Sequence, residues 1–280
     1  MTRKLTIVKV GGAVVEDESQ LTQLLKDFCN IEGAKILVHG GGRRATKIAE
    51  RLGIETKMVN GRRITDADML EVVTMVYGGL VNKNVVARLQ ALGCNAIGLT
   101  GADANILLSE KRPPVKISPM SPIGPMSPIS PMGPIEFIDF GFVGDVKQAD
   151  GAKIAHFIDA GLTPVIAPLT HDGQGHMLNT NADTMASETA KAMAAAGYEV
   201  TLIFAFEKPG VLRNADDDSS VIATINHADF ESYKADGTIS GGMLPKIENA
   251  LAAVDAGVKR VIITKATAID GQHGTIVSEA

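Results

Sequence analysis

The chain has 280 residues, of which 45% are hydrophobic and 4% aromatic, and its formal net charge is −5. This length allows a large core, in one domain or in two lobes that share a sheet. An acidic balance without a long basic run argues against nucleic acid or an anionic membrane as partner. No apolar run approaches the roughly 20 residues of a membrane span, and Cys29 and Cys94 lack redox or metal spacing, so we expect a reduced cytosolic protein.

The first predicted element is a buried strand at residues 6–10 that carries one lysine, Lys9. Burying an ammonium group is costly unless it emerges at the strand end close to an anion. Gly11 and Gly12 follow, and their backbone N–H groups can approach a ligand because no Cβ atoms intervene. With a helix predicted at 18–30, this junction is typical of a phosphate cradle. A snorkelling lysine before a tight structural turn would give the same pattern.

A second junction of strand, glycines and helix follows at residues 34–52. Its strand runs directly into Gly40, Gly41 and Gly42. In a parallel sheet both junctions open at the same edge, where α/β proteins bind ligands. Three successive glycines cost backbone entropy, so a purely structural turn would rarely use all of them. The pattern therefore favours a ligand site over a plain turn.

A long helix is predicted from an N-cap at Thr65 or Asp66 to about Leu92. The paired glycines 78 and 79 near its centre would let another helix approach closely, for example across a dimer contact. Arg63 precedes the cap, and its planar fork would suit a carboxylate. A solvated arginine is the commoner case, so this residue alone decides nothing.

Residues 118–135 consist of six consecutive triplets of the form Ser/Gly-Pro-Met/Ile and hold half of the twelve prolines. Proline at every third position blocks helix and ladder pairing and favours polyproline II. The apolar edge of Met and Ile could lie in a groove, but a solvated, mobile segment is the default interpretation. We interpret the segment as an insertion without catalytic groups between strands predicted at 106–109 and 136–142.

The second half of the chain places two further charged residues at helix starts. Asn181 is a predicted N-cap, and Asp183 lies in the first turn, where the macrodipole favours an acid. An aspartate at this position could also direct lysines towards a phosphoryl group. Lys246 follows Gly241-Gly242 in the first turn of another helix, where a cation opposes the dipole, which suggests an anion supplied from outside. The remaining predicted elements are strands at 95–100, 162–168, 199–206 and 260–264 and helices at 43–52, 151–160 and 229–235.

Motif spacing excludes several reaction classes. No P-loop and no dinucleotide-binding glycine motif stands between a strand and a helix. Neither a Ser-His-Asp set nor histidines with metal-ligand spacing can be assembled. Two lysines and three glycine-lined helix starts therefore indicate a site that holds phosphate oxygens.

Five motifs in register resemble those of the amino acid kinase family. They are Lys9-Val10-Gly11-Gly12, Val38-His39-Gly40-Gly41-Gly42, Asn60-Gly61-Arg62-Arg63-Ile64-Thr65, Asn179-Thr180-Asn181-Ala182-Asp183 and Gly241-Gly242-Met243-Leu244-Pro245-Lys246. The resemblance covers essentially the whole chain except the proline-rich insertion. It implies a single domain over residues 1–280, an αβα sandwich around a mostly parallel sheet of about eight strands.

The resemblance also implies an activity and two lobes. Residues 1–176 would bind an acylated glutamate and form a homodimer, and residues 177–280 would bind ATP with Mg²⁺. The implied reaction is phosphorylation of the side-chain carboxylate of N-acetyl-L-glutamate, the second step of arginine biosynthesis, in the cytoplasm. The partners would be small-molecule substrates and a second copy of the chain, with no nucleic acid and no membrane.

Each matching residue takes an implied role from the family motifs. Lys9 and Lys246 match lysines that stabilise the transition state, and Asp183 matches the aspartate that orients them. The positions that match acylglutamate contacts are Gly41, Gly42, Arg63 and Asn179, with Arg63 on the α-carboxylate. The implied nucleotide contacts are Gly11, Gly12, Lys208, Gly210 and Gly242. No protein ligand to a metal is implied.

The sequence departs from the family pattern at two places. The nucleotide-side strand of family members commonly ends in Asp-x-x-Gly, whereas this chain has Phe206-Glu207-Lys208-Pro209-Gly210, so adenine and ribose contacts do not carry over. Arginine-inhibited hexameric members have an additional N-terminal helix, and only eight residues precede Lys9. We therefore expect a dimer without arginine feedback.

The residues leave three alternatives open. The acyl group could be larger than acetyl, as in N-succinylglutamate. Another acid kinase of the same fold could act on aspartate, glutamate or carbamate. From a different class, the chain could be a catalytically silent sensor that binds nucleotide or amino acid, although retention of both lysines and Asp183 argues against a sensor.

Overall fold

The computed structural model describes residues 3–59, 61–117 and 136–279, so the proline-rich triplets at 118–135 lie outside the described residues. The strands are β1 (Arg3–Val10), β2 (Ala34–His39), β3 (Met58–Val59), β4 (Arg62–Arg63), β5 (Ala96–Leu99), β6 (Leu107–Lys111), β7 (Val115–Ile117), β8 (Glu136–Ile138), β9 (Gly144–Ala149), β10 (Thr163–Ile166), β11 (Leu169–His171), β12 (Met177–Asn179), β13 (Tyr198–Phe206), β14 (Thr224–Ile225), β15 (Arg260–Lys265) and β16 (Thr275–Val277). The α-helices are α1 (Gly12–Glu16), α2 (Glu18–Asn30), α3 (Gly42–Arg51), α4 (Ala67–Val73), α5 (Asn82–Ala91), α6 (Gly151–Asp159), α7 (Ala182–Ala195), α8 (His227–Ala235) and α9 (Leu244–Asp255).

Eight strands form the central sheet in the order β14-β16-β15-β13-β1-β2-β10-β5. Every neighbouring pair is parallel except β15 with β16. The predicted mostly parallel sheet of about eight strands is therefore confirmed. Within it, Lys9 of β1 pairs with Phe204 of β13 on one side and with Val38 of β2 on the other. The carboxyl ends of these three strands consequently meet at one edge.

Helices cover both faces of the central sheet. Alternate residues of a strand point to opposite faces, so Ile7 and Val8 of β1 belong to two different core clusters. The cluster of Ile7 includes Met185 of α7, and that of Val8 includes Phe28 of α2 and Val72 of α4. Burial on both faces explains why the central strands consist of nearly continuous apolar runs. The result is the expected three-layer αβα sandwich.

A second sheet of four strands, in the order β12-β11-β6-β9, adjoins the central sheet. A backbone hydrogen bond joins the two sheets just beyond β5, where the Gly101 N–H donates to the carbonyl of Leu169 in β11 (2.7 Å). The strand predicted at 136–142 is wrong beyond its third residue. The Asp139 side chain accepts the Gly141 N–H, and a positive φ of 72° at Gly141 turns the chain there.

The long predicted helix is continuous but changes type in the middle. Asp66 caps it, and the segment Thr74–Val81 between α4 and α5 is a π-helix. The wider π turn shifts the buried face, so Val76 and Val81 are buried while Leu80 is 39% exposed. The expected helix contact at the paired glycines is not seen within the described chain. A Cβ atom on Gly78 would contact Leu169 and Thr100 side chains instead.

Candidate functional site

The two glycine junctions touch at the carboxyl edge of the sheet. The Gly40 N–H donates to the Val10 carbonyl (3.0 Å), which continues the pairing of β2 with β1 into the turn. A Cβ atom on Gly40 would lie 3.0 Å from the Gly12 nitrogen, and one on Gly12 would lie 3.5 Å from the Gly41 nitrogen. Glycine is required at Gly40 because a side chain there would crowd the neighbouring backbone. The two glycine junctions thus pack directly against each other.

A cavity of about 430 Å³ opens beside these junctions. Its walls come from the ends of β1 and β13 and from the first turns of α1, α3, α7 and α9. Eight of the residues predicted from the sequence line it: Lys9, Gly11, Gly12, Gly42, Asp183, Lys208, Gly210 and Lys246. The cavity therefore collects all three predicted catalytic residues and most of the predicted ligand contacts.

Lys9 and Asp183 form an ion pair at the base of the cavity. The Lys9 Nζ lies 2.7 Å from the Asp183 Oδ1, and the lysine side chain is 8% exposed. The contact lacks the angle of a hydrogen bond, so this buried Oδ1 makes no hydrogen bond within the described chain. Asn181 places the carboxylate, because its side chain caps α7 by accepting the Asp183 and Thr184 N–H groups. The predicted N-cap at Asn181 is confirmed.

A phenylalanine ring lies against both cavity lysines. The Lys246 Nζ is 3.9 Å from the centroid of the Phe206 ring, and the Lys9 Nζ is 5.1 Å from the same centroid. Burial lowers the pKa of Lys246 below its ordinary value of 10.5; Asp183 opposes this shift, Lys9 adds to it and Glu207 opposes it. Two ammonium groups thus converge on one aromatic face. The cavity presents an excess of positive charge that an anion would neutralise.

Of the residues predicted to bind an acylated glutamate, Gly41 and Gly42 belong to the second glycine junction, and Arg63 and Asn179 come from other segments. Arg63 donates from Nη2 to the Gly42 carbonyl (2.9 Å) and to the Thr46 hydroxyl (2.8 Å), which holds its guanidinium against the start of α3. Asn179 donates from Nδ2 to the hydroxyl of the buried Thr65 (2.9 Å). Arg63 thus contacts the second glycine junction and Asn179 contacts Thr65, and neither residue lines the cavity.

The predicted nucleotide residues beyond β13 have different surroundings. Lys208 donates from Nζ to Asp218 (2.9 Å) and to the Ala215 carbonyl (3.3 Å). Gly210 is buried, and a Cβ atom there would lie 2.8 Å from a methyl group of Val221, so close packing alone requires glycine. Gly242 belongs to the short 3₁₀ turn Gly241–Met243 before α9. Within the described ranges, no group of three or more His, Cys, Asp or Glu side chains could hold a metal ion.

Two residues at the site had no assigned role in the sequence interpretation. Tyr77 packs on Gly41, where a Cβ atom would lie 2.9 Å from its ring, and burial raises the pKa of its hydroxyl. His39 is fully buried directly before the glycine run. Its position next to three glycines was the signal that could have indicated a role.

The chain belongs to the amino acid kinase family, because the model of that family matches residues 4–265. Two relatives named acetylglutamate kinase, from Bacteroides fragilis and Bacteroides thetaiotaomicron, are each 57% identical to this chain over 279 residues. These matches cover 100% of this chain and 98% and 100% of the two relatives. The crystal structure of smu.665 from Streptococcus mutans UA159 is 26% identical, with a TM-score of 0.73 over 99% of both chains. The family resemblance seen in the five motifs is confirmed.

Proposed function

We propose that this chain catalyses the ATP-dependent phosphorylation of N-acetyl-L-glutamate on its side-chain carboxylate, which yields N-acetyl-L-glutamyl 5-phosphate and ADP. One observation carries the proposal: the Lys9 and Lys246 amines meet over one aromatic ring beside Asp183, in a cavity at a glycine-lined sheet edge. The names of relatives that match the whole chain support the choice of acceptor. This reaction would make the chain the second enzyme of arginine biosynthesis.

The chemistry requires charge neutralisation rather than proton transfer. A glutamate side chain has a pKa of about 4.3, so the attacking carboxylate is already ionised at neutral pH. One of its oxygens forms a bond to the γ-phosphorus of ATP while the bond from that phosphorus to the β–γ bridging oxygen breaks. The electron pair leaves with ADP. The protein must align two anions and stabilise the charge on the transferring group.

Lys9 and Lys246 are placed to supply that stabilisation. Lys9 is buried and Lys246 is partly buried, so both ammonium groups act more strongly on developing negative charge than they would in solution. Asp183 keeps the Lys9 amine at the cavity floor through its 2.7 Å ion pair. The Gly12 N–H at the start of α1 adds a donor for phosphate oxygens, and Gly11, whose N–H donates to the Ala205 carbonyl (3.4 Å), lets the phosphates approach because it has no side chain.

The acceptor would bind at the second glycine junction. The N–H groups of Gly41 and Gly42 stand at the start of α3, where a helix favours an anion. A Cβ atom on Gly42 would lie 4.0 Å from the Arg63 Nη2, so a carboxylate bound to this turn would lie beside the guanidinium. We assign Arg63 to the α-carboxylate and Asn179 to the acylated amine region.

ATP would enter the cavity with Mg²⁺ bound to its phosphates, as part of the substrate. Lys208, Gly210 and Gly242 are assigned to the nucleotide. The carboxylates that line the cavity are Asp183 and Glu207, and both face cations of the protein, Lys9 and Arg43 (2.7 and 3.7 Å). We therefore place the metal on the phosphates, with the two lysines on the remaining oxygens.

We also propose that residues 1–176 form an acylglutamate-binding lobe, that residues 177–280 form an ATP-binding lobe, and that two copies of the chain associate. On the π-helical segment Thr74–Val81, Met75 is 54% exposed and Leu80 is 39% exposed, which leaves an apolar surface for a second copy. No helix among the described residues is long and apolar enough to cross a membrane. Free Cys29 and Cys94 fit a reducing cytoplasm.

A coupled ADP-release assay on N-acetylglutamate, N-succinylglutamate, free glutamate, aspartate and carbamate tests the proposal. We expect kcat/KM for N-acetylglutamate to exceed that for each other acid by about tenfold or more, because the site is built for one acyl group. Hydroxylamine should trap the acyl phosphate. A preference for N-succinylglutamate would overturn the assignment of acetyl as the acyl group. A rate of ADP release that none of these acids increases would overturn the kinase activity.

A further inference from the structure

A buried histidine adjoins the second glycine junction, and the proposed reaction does not use it. His39 ends β2 directly before Gly40, and its side chain has no access to solvent. Its Nδ1 lies 2.8 Å from the Gly40 carbonyl oxygen, and its Nε2 lies 3.1 Å from the Asn82 Nδ2. Both ring nitrogens therefore have partners, one in the glycine turn and one at the start of α5.

The neighbours of Asn82 determine which nitrogen of His39 carries the proton. The Asn82 Nδ2 lies 2.9 Å from the Val165 carbonyl, which can only accept, and the Oδ1 lies 3.2 Å from the Lys83 ammonium, which can only donate. The amide orientation is thus set by its surroundings. Its Nδ2 must donate to the His39 Nε2. The ring proton consequently stands on Nδ1, which donates to the Gly40 carbonyl.

A glycine in strand β5 provides the space for this hydrogen-bond network. A Cβ atom on Gly98 of β5 would overlap the Asn82 Oδ1 atom, so glycine at this strand position admits the amide. The Lys83 Nζ also donates to the Gly98 carbonyl (3.1 Å). Burial lowers the pKa of His39 from 6.5 to about 4; the Gly40 carbonyl opposes the shift and the Lys83 charge adds to it. The imidazole is therefore neutral at physiological pH.

We propose that His39 is a positioning residue for the acceptor, acting through the Gly40 carbonyl, an inference that rests on the proposed function. A trans peptide is planar, so the carbonyl of one residue and the N–H of the next point in opposite directions. Holding the Gly40 carbonyl on His39 turns the Gly41 N–H away from the histidine. The Gly41 and Gly42 nitrogens lie 3.5 and 3.6 Å from the Cβ position of Gly12, on the side where the two junctions meet.

The consequence is a preorganised pair of donors for the acceptor. Without the His39 bond, the Gly40–Gly41 peptide could rotate, since glycine restricts neither φ nor ψ. Binding would then have to order the turn, at a cost in affinity for the acceptor. In the proposed function the residues assigned to the nucleotide lie outside this turn, of which only Gly42 lines the ATP cavity. Loss of the bond should therefore raise the KM for the acceptor and leave the KM for ATP almost unchanged.

A matched pair of variants separates the two nitrogens. In His39→Asn the amide nitrogen takes the place of Nδ1 and retains a donor for Gly40, whereas in His39→Gln the terminal amide takes the place of Nε2 and leaves Gly40 without a donor. We expect His39→Gln to raise the KM for N-acetylglutamate by about tenfold or more, which is the loss of one buried hydrogen bond, with less than about threefold change for ATP. His39→Asn should stay within about threefold of the parent chain for both substrates. Equal KM changes in the two variants, or equal changes for both substrates, would overturn the proposal.

A second measurement does not depend on activity or on the variants' stability. In the ¹⁵N spectrum of isotope-labelled protein at pH 7, the His39 ring should show a protonated Nδ1 and an unprotonated Nε2, and the signal is assigned in the parent chain by through-bond correlation of the ring with the His39 backbone. The opposite tautomer would contradict the positioning role of His39 even if the variants failed to fold. A wild-type chain that phosphorylates no acylglutamate would instead overturn the proposed function, and the tautomer would still report on the network.

Discussion

Two regions of the site use buried polar groups in opposite ways. In the charged cluster, which consists of Lys9, Asp183, Phe206 and Lys246, two ammonium groups contact one aromatic ring, and one carboxylate pairs with Lys9. In the glycine-turn network, which consists of His39, Gly40, Asn82 and Lys83, each donor of the buried side chains meets an acceptor. The charged cluster has more ammonium groups than carboxylates, whereas the histidine of the glycine-turn network is uncharged.

The difference indicates what each region must do. A buried charge without a partner of opposite sign is costly as long as no ligand is bound. Such a charge is therefore retained where a bound ligand of opposite charge neutralises it. A network whose buried side chains are uncharged and fully hydrogen-bonded is rigid and keeps its shape without a ligand. The charged cluster is therefore suited to an anion whose charge develops during reaction, and the network is suited to holding a backbone turn in place. Three perturbations test this contrast.

The largest effect is expected from removing either ammonium group of the charged cluster. Lys9→Ala and Lys246→Ala should each lower kcat by on the order of a hundredfold or more, because transition-state charge loses a preorganised cation. Steady-state kinetics with saturating ATP and acceptor measure this.

Lys234→Ala serves as a control, because this lysine is exposed and lies on α8. Melting temperatures should show that the variants are folded. Near-normal turnover in both Lys9→Ala and Lys246→Ala would remove the catalytic assignment.

The next effect concerns stability and the glycine-turn network. The pKa of His39 is about 4 in the folded chain against an ordinary 6.5, so between these values the unfolded state binds a proton that the folded state excludes. Stability must then fall as pH falls through this window, by about 2 kcal/mol between pH 7.5 and 5 for this group alone.

Urea unfolding of the parent chain and of His39→Asn at both pH values isolates this contribution. Carboxylates titrate in both proteins, so their contribution cancels in the difference. The advantage of the parent chain over the variant should shrink by about 2 kcal/mol on acidification. A gap that stays constant would show that His39 is not held neutral by burial.

The smallest effect is expected at the ring that both ammonium groups contact. Phe206→Leu removes the aromatic face but keeps an apolar side chain, and kcat should fall by about tenfold, since a desolvated cation–π contact contributes about 1–2 kcal/mol. Without the ring, the charged form of Lys246 also loses a stabilising contact, and the pKa of this lysine should fall further. The alkaline limb of the kcat profile should therefore move to lower pH.

Phe206→Tyr is the matched variant, because it retains the aromatic face. Asp183, Lys9 and Glu207 influence Lys246 in both variants, so a difference between their alkaline limbs reports the ring. Identical profiles for the Leu and Tyr variants would show that Phe206 only fills space.

Much of the architecture followed from local sequence. The caps at Asp66 and Asn181 depend on hydrogen bonds to residues two or three positions away, which a sequence pattern displays directly. The β1 strand and its Gly11-Gly12 turn were equally local. The sheet edge as binding site followed from the rule that parallel strands bring their carboxyl ends together.

Contacts between segments that are distant along the chain could not be predicted from local sequence patterns. The apolar residues of the π-helical segment Thr74–Val81 have the spacing of an α-helix. The change of helix type and the shifted buried face could therefore not be predicted from the sequence. Lys208 was expected to face a nucleotide, and its amine pairs with Asp218 across a loop. The bond between His39 and Asn82 joins residues 43 positions apart.

The sequence by itself determined the alternation of strands and helices, the glycine junctions and the membership in a kinase family, because each is written in neighbouring residues or in ordered motifs. Tertiary structure alone decided that Phe206 lies under two lysines and that Asn82 enters the sheet beside Gly98. These contacts depend on how helices and strands pack, and packing brings together side chains whose separation along the chain carries no signal.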